Sequence, residues 1–218
     1  MIMNGIQGLK KNRRLARTVT QGFGTRKEIK MADIEISEKK LEDYIFKCLD
    51  EEIYPKGLDE LPRVEFCQKT IRQLNIAPYG VIDIVSFGSR YDYNDNLFLN
   101  IIIYELKRGQ IDKCALVQSL RYVSGIRDYY KSIGGKVCDP CIDVVLIGQS
   151  INEDMKFIPQ AYDFLNILTY DIDISDGLSL KNEDTWRYND KTRCCQTKKA
   201  IVCADYLNAE FAFDISKK

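Results

Sequence analysis

Residues 97–122 read LFLNIIIYELKRGQIDKCALVQSLRY. Leu97 to Leu106 is a largely apolar run with three consecutive isoleucines, which predicts a strand. Arg108 and Gly109 break the run, and Asp112 is placed to cap a helix reaching to about residue 131. Leu116, Leu120, Val123 and Tyr130 recur on that helix at core-facing spacing. The strand finishes in Glu105-Leu106-Lys107, and the helix carries Gln118 and Tyr122 one turn apart. Alternation puts Glu105 and Lys107 on one face of the strand, with Leu106 on the other, and a four-residue step stacks Gln118 against Tyr122.

Outward from this stretch the pattern stays simple. TIRQL at 70–74 and VIDIVSF at 81–87 read as strands separated by the turn Ala77-Pro78-Tyr79-Gly80, and GSRYDYNDN at 88–96 is polar turn chemistry. Three strands in short order predict an antiparallel meander. Ahead of them, SEKKLEDYIFKCLDEEI at 37–53 places Ser37 as an N-cap and puts Leu41, Ile45, Cys48 and Leu49 on one helical face; Pro55 and Gly57 stop it. CIDVVLIGQSI at 141–151 reads as a buried fourth strand, residues 155–174 as a helix and then a strand, and 179–188 as a further short strand. The fold class is therefore α/β with a mixed sheet, in the order helix, three strands, helix, strand. The chain divides into a basic arm at 1–30, a core at 37–150 and a C-terminal extension at 151–218 packed on it.

The chain contains no histidine among its 218 residues, which excludes Ser-His-Asp and Cys-His hydrolysis, histidine-based nucleases and zinc sites with imidazole ligands. Acid, amide, lysine or thiol chemistry remains. Net charge is zero, but residues 1–30 hold eight Lys/Arg and one Glu, leaving 24 basic and 31 acidic residues in the rest. Contacts with phosphates must come from local patches or from the basic head. That head reads as a solvated arm, as a phosphate-contacting arm, as an Arg-rich targeting sequence, or as sequence upstream of a start at Met31. Eight cysteines without a secretory signal, and no apolar stretch near the ~20 residues of a membrane helix, predict a reducing cytoplasmic setting and no membrane.

Asp83 sits between Ile82 and Ile84, and Glu105 follows four apolar or aromatic residues. A lone ionised carboxylate is costly in such a setting, so two of them on neighbouring strands point to a shared cation. Asp83, Glu105 and the backbone carbonyl of Leu106 form a donor set for Mg²⁺ or Mn²⁺, with Lys107 beside a water. Gln118 and Tyr122 supply an amide and a phenol to orient the water, the lysine or a phosphate oxygen. The Glu105–Lys107 pair alone also reads as a salt-bridged strand end; five such residues in order do not.

These residues, Gly80-Val-Ile-Asp83, Glu105-Leu-Lys107 and Gln118-Ser-Leu-Arg-Tyr122, resemble the motifs of the PD-(D/E)XK nuclease superfamily, and most of all its NucS-type and RecB-type branches. The resemblance spans roughly residues 37–150. It implies a restriction-endonuclease-like αβββαβ core and metal-dependent hydrolysis of DNA phosphodiester bonds by an activated water, without a covalent intermediate. It makes Asp83 and Glu105 metal ligands, Lys107 the residue that acts on the water, and Gln118 and Tyr122 the motif of the second core helix. Glu42 fits the family's further acid on the first helix, among the neighbours Glu38, Asp43, Glu51 and Glu52. Ile82 stands where the family often has Pro. A non-catalytic module that binds nucleic acid or protein on the same fold is the alternative. A homodimer or a larger nuclease complex is the expected assembly.

Two further groups remain. Cys138-Asp-Pro-Cys141 with Cys194-Cys195 offers four thiolates for zinc or an iron–sulfur cluster, but 52 residues separate the pairs, so buried reduced thiols are the expectation. Arg72, Arg90, Arg108, Arg121 and Arg127, with Tyr91 and Tyr93, are candidates for phosphate contact and base stacking, with Arg72, Arg108 and Arg121 foremost. Asp92 and Asp95 in the same loop as the tyrosines oppose that role.

Overall fold

The computed structural model describes residues 36–53, 55–91, 97–132, 140–158, 162–173 and 177–183. The basic arm, the loop holding Asp92, Tyr93 and Asp95, Cys138, Cys194, Cys195, Cys203 and the end of the chain from 184 lie outside these residues, as do 159–161 of the segment expected to hold a helix.

Helix α1, Glu38–Asp50, starts where Ser37 adopts an extended backbone and its hydroxyl accepts the Lys40 N–H at 3.3 Å. That side chain satisfies one of the amides left open at a helix start. The four expected apolar residues, Leu41, Ile45, Cys48 and Leu49, are the buried ones. Strands β1 (Phe66–Asn75), β2 (Val81–Tyr91) and β3 (Leu97–Leu106) follow as the expected antiparallel meander. A two-residue strand, β4 (Gln110–Ile111), leads into α2 (Lys113–Ser132), whose first turn is held by Asp112 Oδ1 accepting the Ala115 N–H at 3.0 Å. Strand β5 (Cys141–Gly148) then runs parallel to β3. The αβββαβ order read from the sequence is the order of the described elements.

Beyond it, β6 (Ser150–Ile151) pairs with β4, a 3-10 turn spans Glu153–Met155, and β7 (Leu165–Asp173) and β8 (Gly177–Asn182) extend the main sheet. The six-stranded order is β1-β2-β3-β5-β7-β8. Its middle, β3-β5-β7, is parallel, and β1-β2-β3 and β7-β8 are antiparallel. A parallel β3–β5 pair needs a crossover, and α2 supplies it.

Two apolar clusters sandwich the sheet. Leu41, Ile45 and Leu49 of α1 meet Ile84, Ile102, Tyr104, Val145 and Leu168 on one face. Ala115, Tyr122, Val123 and Ile126 of α2 meet Val85, Ile101, Ile103, Val144 and Ile167 on the other. Strand β3 is covered on both sides, and every residue from Phe98 to Leu106 is buried. Leu120, expected in the core, is half-buried and packs against the α2-side cluster, while the ring of Tyr122 is fully enclosed.

Close backbone approach shapes the β1–β2 ribbon. A Cβ at Gly88 would lie 2.1 Å from the Phe66 carbonyl oxygen, so only glycine lets the two strands pair there. The register of this ribbon shifts between Cys67 and Lys69, and its alternation breaks again further along. Leu74 and Ile82, which face each other, join the α2-side cluster, yet Ile84, two residues on, joins the α1-side cluster. The register partner of Ile84 is Arg72, whose guanidinium sits 5.3 Å over the Phe46 ring of α1. The change of face falls at Gln73 and Asp83.

Candidate active site

The buried end of β3 delivers Glu105 with only 1% of its surface exposed. Its Oε1 accepts the Lys107 ammonium at 2.7 Å, two residues along the same face, as strand alternation requires. Its Oε2 is buried and accepts no hydrogen bond. Such an oxygen is expensive when ionised. Accordingly the Glu105 carboxyl is pushed up to about 7, first by burial and then by the charge of Asp83, with Lys107 pulling the other way.

Asp83 reaches the same place from β2. Its Oδ2 accepts the Leu106 N–H at 2.8 Å, so the backbone of the Glu-Leu-Lys turn holds the neighbouring carboxylate through the Leu106 amide. Burial raises the Asp83 pKa, opposed by that amide, by Lys107 and by the Gln73 side chain, while Glu38 raises it further. Burial lowers the Lys107 pKa, but its hydrogen bond to Glu105 and the charges of Glu105, Asp83 and Glu38 outweigh it, and the net direction is up. Lys107 is thus held as an ammonium. The backbone of Lys107 is itself fixed by its N–H donating to the Ile147 carbonyl of β5 at 2.8 Å.

Helix α1 supplies two acids one turn apart. Glu38 Oε2 accepts the Arg108 N–H at 3.2 Å, and Glu42 Oε2 accepts the Gln73 side-chain amide at 2.9 Å. The Glu42 pKa is raised by burial and then by Asp83, with Gln73 and Arg72 opposing. Glu38 in turn raises the pKa of Asp83 and of Glu105, so α1 acts on the pair through Glu38 as well as through Glu42, the acid picked out in the sequence. Gln73 was not foreseen at all, because a Gln at an exposed strand position carries no pattern that distinguishes it from a solvated residue.

From the other face, Gln118 Nε2 donates to the Tyr122 hydroxyl, and that hydroxyl donates to the Val81 carbonyl. The chain of bonds ties α2 to the start of β2, two residues before Asp83. Gly80 takes φ +129, and a Cβ there would lie 3.0 Å from the Tyr122 ring. Next to this contact is an open groove of about 550 Å³, lined by Val81, Lys113, Val117, Gln118 and Arg121 among others. Asp83 and Glu105 do not line it.

The proposed phosphate-contacting arginines are divided between the two faces of the sheet. Arg72 pairs with Asp43 at 2.8 Å and fastens β1 to α1, whereas Arg121 lies on α2 and donates to the Pro78 carbonyl at 3.5 Å. Arg108 is exposed. Arg90 donates to Cys141 Sγ at 2.7 Å and lies 3.5 Å from Asp143; Arg127 is exposed on α2, and Tyr91 packs edge-on against Phe66 at 5.5 Å. Among the described residues, Cys48, Cys67, Cys114 and Cys141 are reduced thiols that form no disulfide.

Among the described residues no three Asp, Glu or Cys side chains are grouped closely enough to enclose a metal ion by themselves. A Mg²⁺ site needs fewer: one or two carboxylates, completed by water and substrate phosphate. The unpartnered Glu105 oxygen and the mutual repulsion of Asp83 and Glu105 fit that donor set.

No family model matches the chain, and no curated protein matches it. Solved structures do. A repair endonuclease from Pyrococcus abyssi is similar at TM-score 0.39 and 23% identity, over 62% of this chain and 47% of that one. EndoMS in complex with double-stranded DNA gives 0.38 and 19% identity over 61% and 44%, and EndoMS in its apo form gives 0.33 and 19% over 61% and 45%. The chain spans about half the length of the structures it matches.

Proposed function

We propose that this chain is a metal-dependent nuclease that hydrolyses DNA phosphodiester bonds by attack of water. The observation that carries the reading is the buried Glu105, with one oxygen on Lys107 and the other unpartnered, beside an Asp83 held by the Leu106 amide. Asp83 and Glu105 would hold Mg²⁺ or Mn²⁺, with Glu42 and the Leu106 carbonyl as further donors. Bound there, the cation supplies a Lewis acid for the phosphoryl oxygens and lowers the pKa of water at neutral pH.

The chain's own residues do the rest. The Lys107 ammonium spends one proton on Glu105 and has two left to orient a water and to meet charge developing on the phosphate oxygens. Gln118 and Tyr122 fix the entry to β2, and with it the position of Asp83. The thiols fit a reducing cytoplasm. DNA is the substrate class, bound by one copy, a homodimer or a larger complex.

Cleavage assays on single-stranded, duplex, mismatched and branched DNA test the reading. The expected result is cutting that requires Mg²⁺ or Mn²⁺, stops with EDTA and is abolished by Glu105→Gln with DNA affinity retained. Binding without cleavage of any of these under both metals would instead establish a non-catalytic DNA-binding module.

A further inference from the structure

Among the described residues, two other than glycine have positive φ, Glu52 and Gln73, both at +52°. Glu52 follows the end of α1, where a left-handed residue is ordinary. Gln73 lies inside β1, where nothing in strand geometry calls for it. An L-residue with a long side chain is held there only when its surroundings fix it, and such positions gather at functional sites.

The surroundings are specific. Arg72 pairs with Ile84 and Leu74 with Ile82, so Gln73 stands across the ribbon from Asp83. At this step both strands exchange faces, with Leu74 and Ile82 toward α2 and Arg72 and Ile84 toward α1. The left-handed turn at Gln73 is the backbone event that accompanies the exchange. It brings the Gln73 amide to Glu42 of α1, at 2.9 Å.

Resting on the nuclease reading above, we propose that Gln73 is a positioning residue: its amide ties Glu42 of α1 to Asp83 of β2 and sets their spacing for a shared divalent cation. The chemistry suits an amide. Nε2 carries two hydrogens, one for each carboxylate, and no charge that would compete with a cation. A lysine at this position would neutralise the acids; the amide spaces them and leaves their charge available. The Gln73 side chain is among the groups that pull both the Asp83 and the Glu42 pKa back down.

The test uses the full chain, with Mn²⁺ alone as probe, in thermal-shift titrations of the wild type, Gln73→Gly, Gln73→Asn and an Asp83→Asn control. Glycine accepts positive φ freely, and asparagine tolerates it while reaching one methylene less far. Both variants are expected to keep the metal-free melting temperature within a few degrees of the wild type or above it. Both are expected to raise the Mn²⁺ midpoint roughly tenfold or more, and to lower kcat while the KM for DNA stays within about twofold.

Midpoints within about twofold of a wild type that does bind Mn²⁺ would overturn the role of Gln73 and leave the nuclease reading standing. A metal-free melting temperature lowered by about 10 °C in both variants would make Gln73 a structural residue and overturn the inference equally. A wild type that shows no Mn²⁺ shift, indistinguishable from Asp83→Asn, would overturn the metal site and this inference together.

Discussion

At the scale of single residues, Glu105 couples stability to pH. Its folded pKa of about 7 lies above the ordinary 4.5, so between those values the folded chain holds a proton that the unfolded chain has lost. Stability of the metal-free protein should therefore fall as pH rises through that window, by up to ~3 kcal/mol from this group. Urea denaturation from pH 4.5 to 8 measures it, and Glu105→Gln should remove most of the slope and be the more stable form at pH 8. Lys107→Ala should lower single-turnover cleavage roughly 100-fold or more with little change in KM for DNA. Lys107→Arg should recover little, since a planar guanidinium cannot replace a compact ammonium against Glu105. Asp83 and Glu105 were legible in the sequence because each interrupts an apolar run, and Lys107 because strand alternation sets it beside Glu105. Glu38 and Glu42 were not separable, since a four-residue step puts both on one side of α1. Gln73 was invisible, because its backbone angle is imposed by the ribbon and not by its own side chain.

At the scale of elements, α2 mixes roles that its sequence pattern keeps apart. Spacing assigned Leu120 to the core and Tyr122 to the site, but the structure half-exposes Leu120 and encloses the Tyr122 ring while its hydroxyl serves β2. Leu120→Ala should therefore cost only ~1–2 kcal/mol, below the usual range for a buried leucine. Tyr122→Phe should cost a similar ~1–2 kcal/mol, by leaving the Val81 carbonyl and the Gln118 amide without their shared partner, and should also slow cleavage. Gln118→Ala should slow cleavage with the smallest loss of stability. Urea denaturation paired with single-turnover cleavage on all three variants separates these outcomes. Strand β3 was read from its sequence to the residue because both its ends are marked, by the polar loop before it and by Glu-Leu-Lys after it. Strand β1 begins at Phe66, four residues before the expected start, because Phe66 to Lys69 is a largely exposed stretch without apolar alternation.

At the scale of the whole molecule, the sheet depends on one close backbone approach and one long-range pairing. Gly88→Ala places a methyl group 2.1 Å from the Phe66 carbonyl oxygen, so β1 must move away from β2. The expected loss is ~3 kcal/mol or more, read as a lowered melting temperature by circular dichroism, with metal affinity falling too because β2 carries Asp83. The order of elements was legible from periodicity alone; two further strands were read after β5, but not their place in the main sheet, since a strand's own pattern does not name its neighbour. The pairing of β3 with β5 has a kinetic consequence. Strands β1 to β3 are joined by short connections and can associate early, whereas β5 must return across all of α2 before it aligns with β3, and non-local parallel pairing is slow. Lys107 receives its backbone anchor only from that second event, through Ile147. During refolding the meander should gain hydrogen-exchange protection first, and the nascent chain should pass through a period in which its acids are assembled but its lysine is not yet in register.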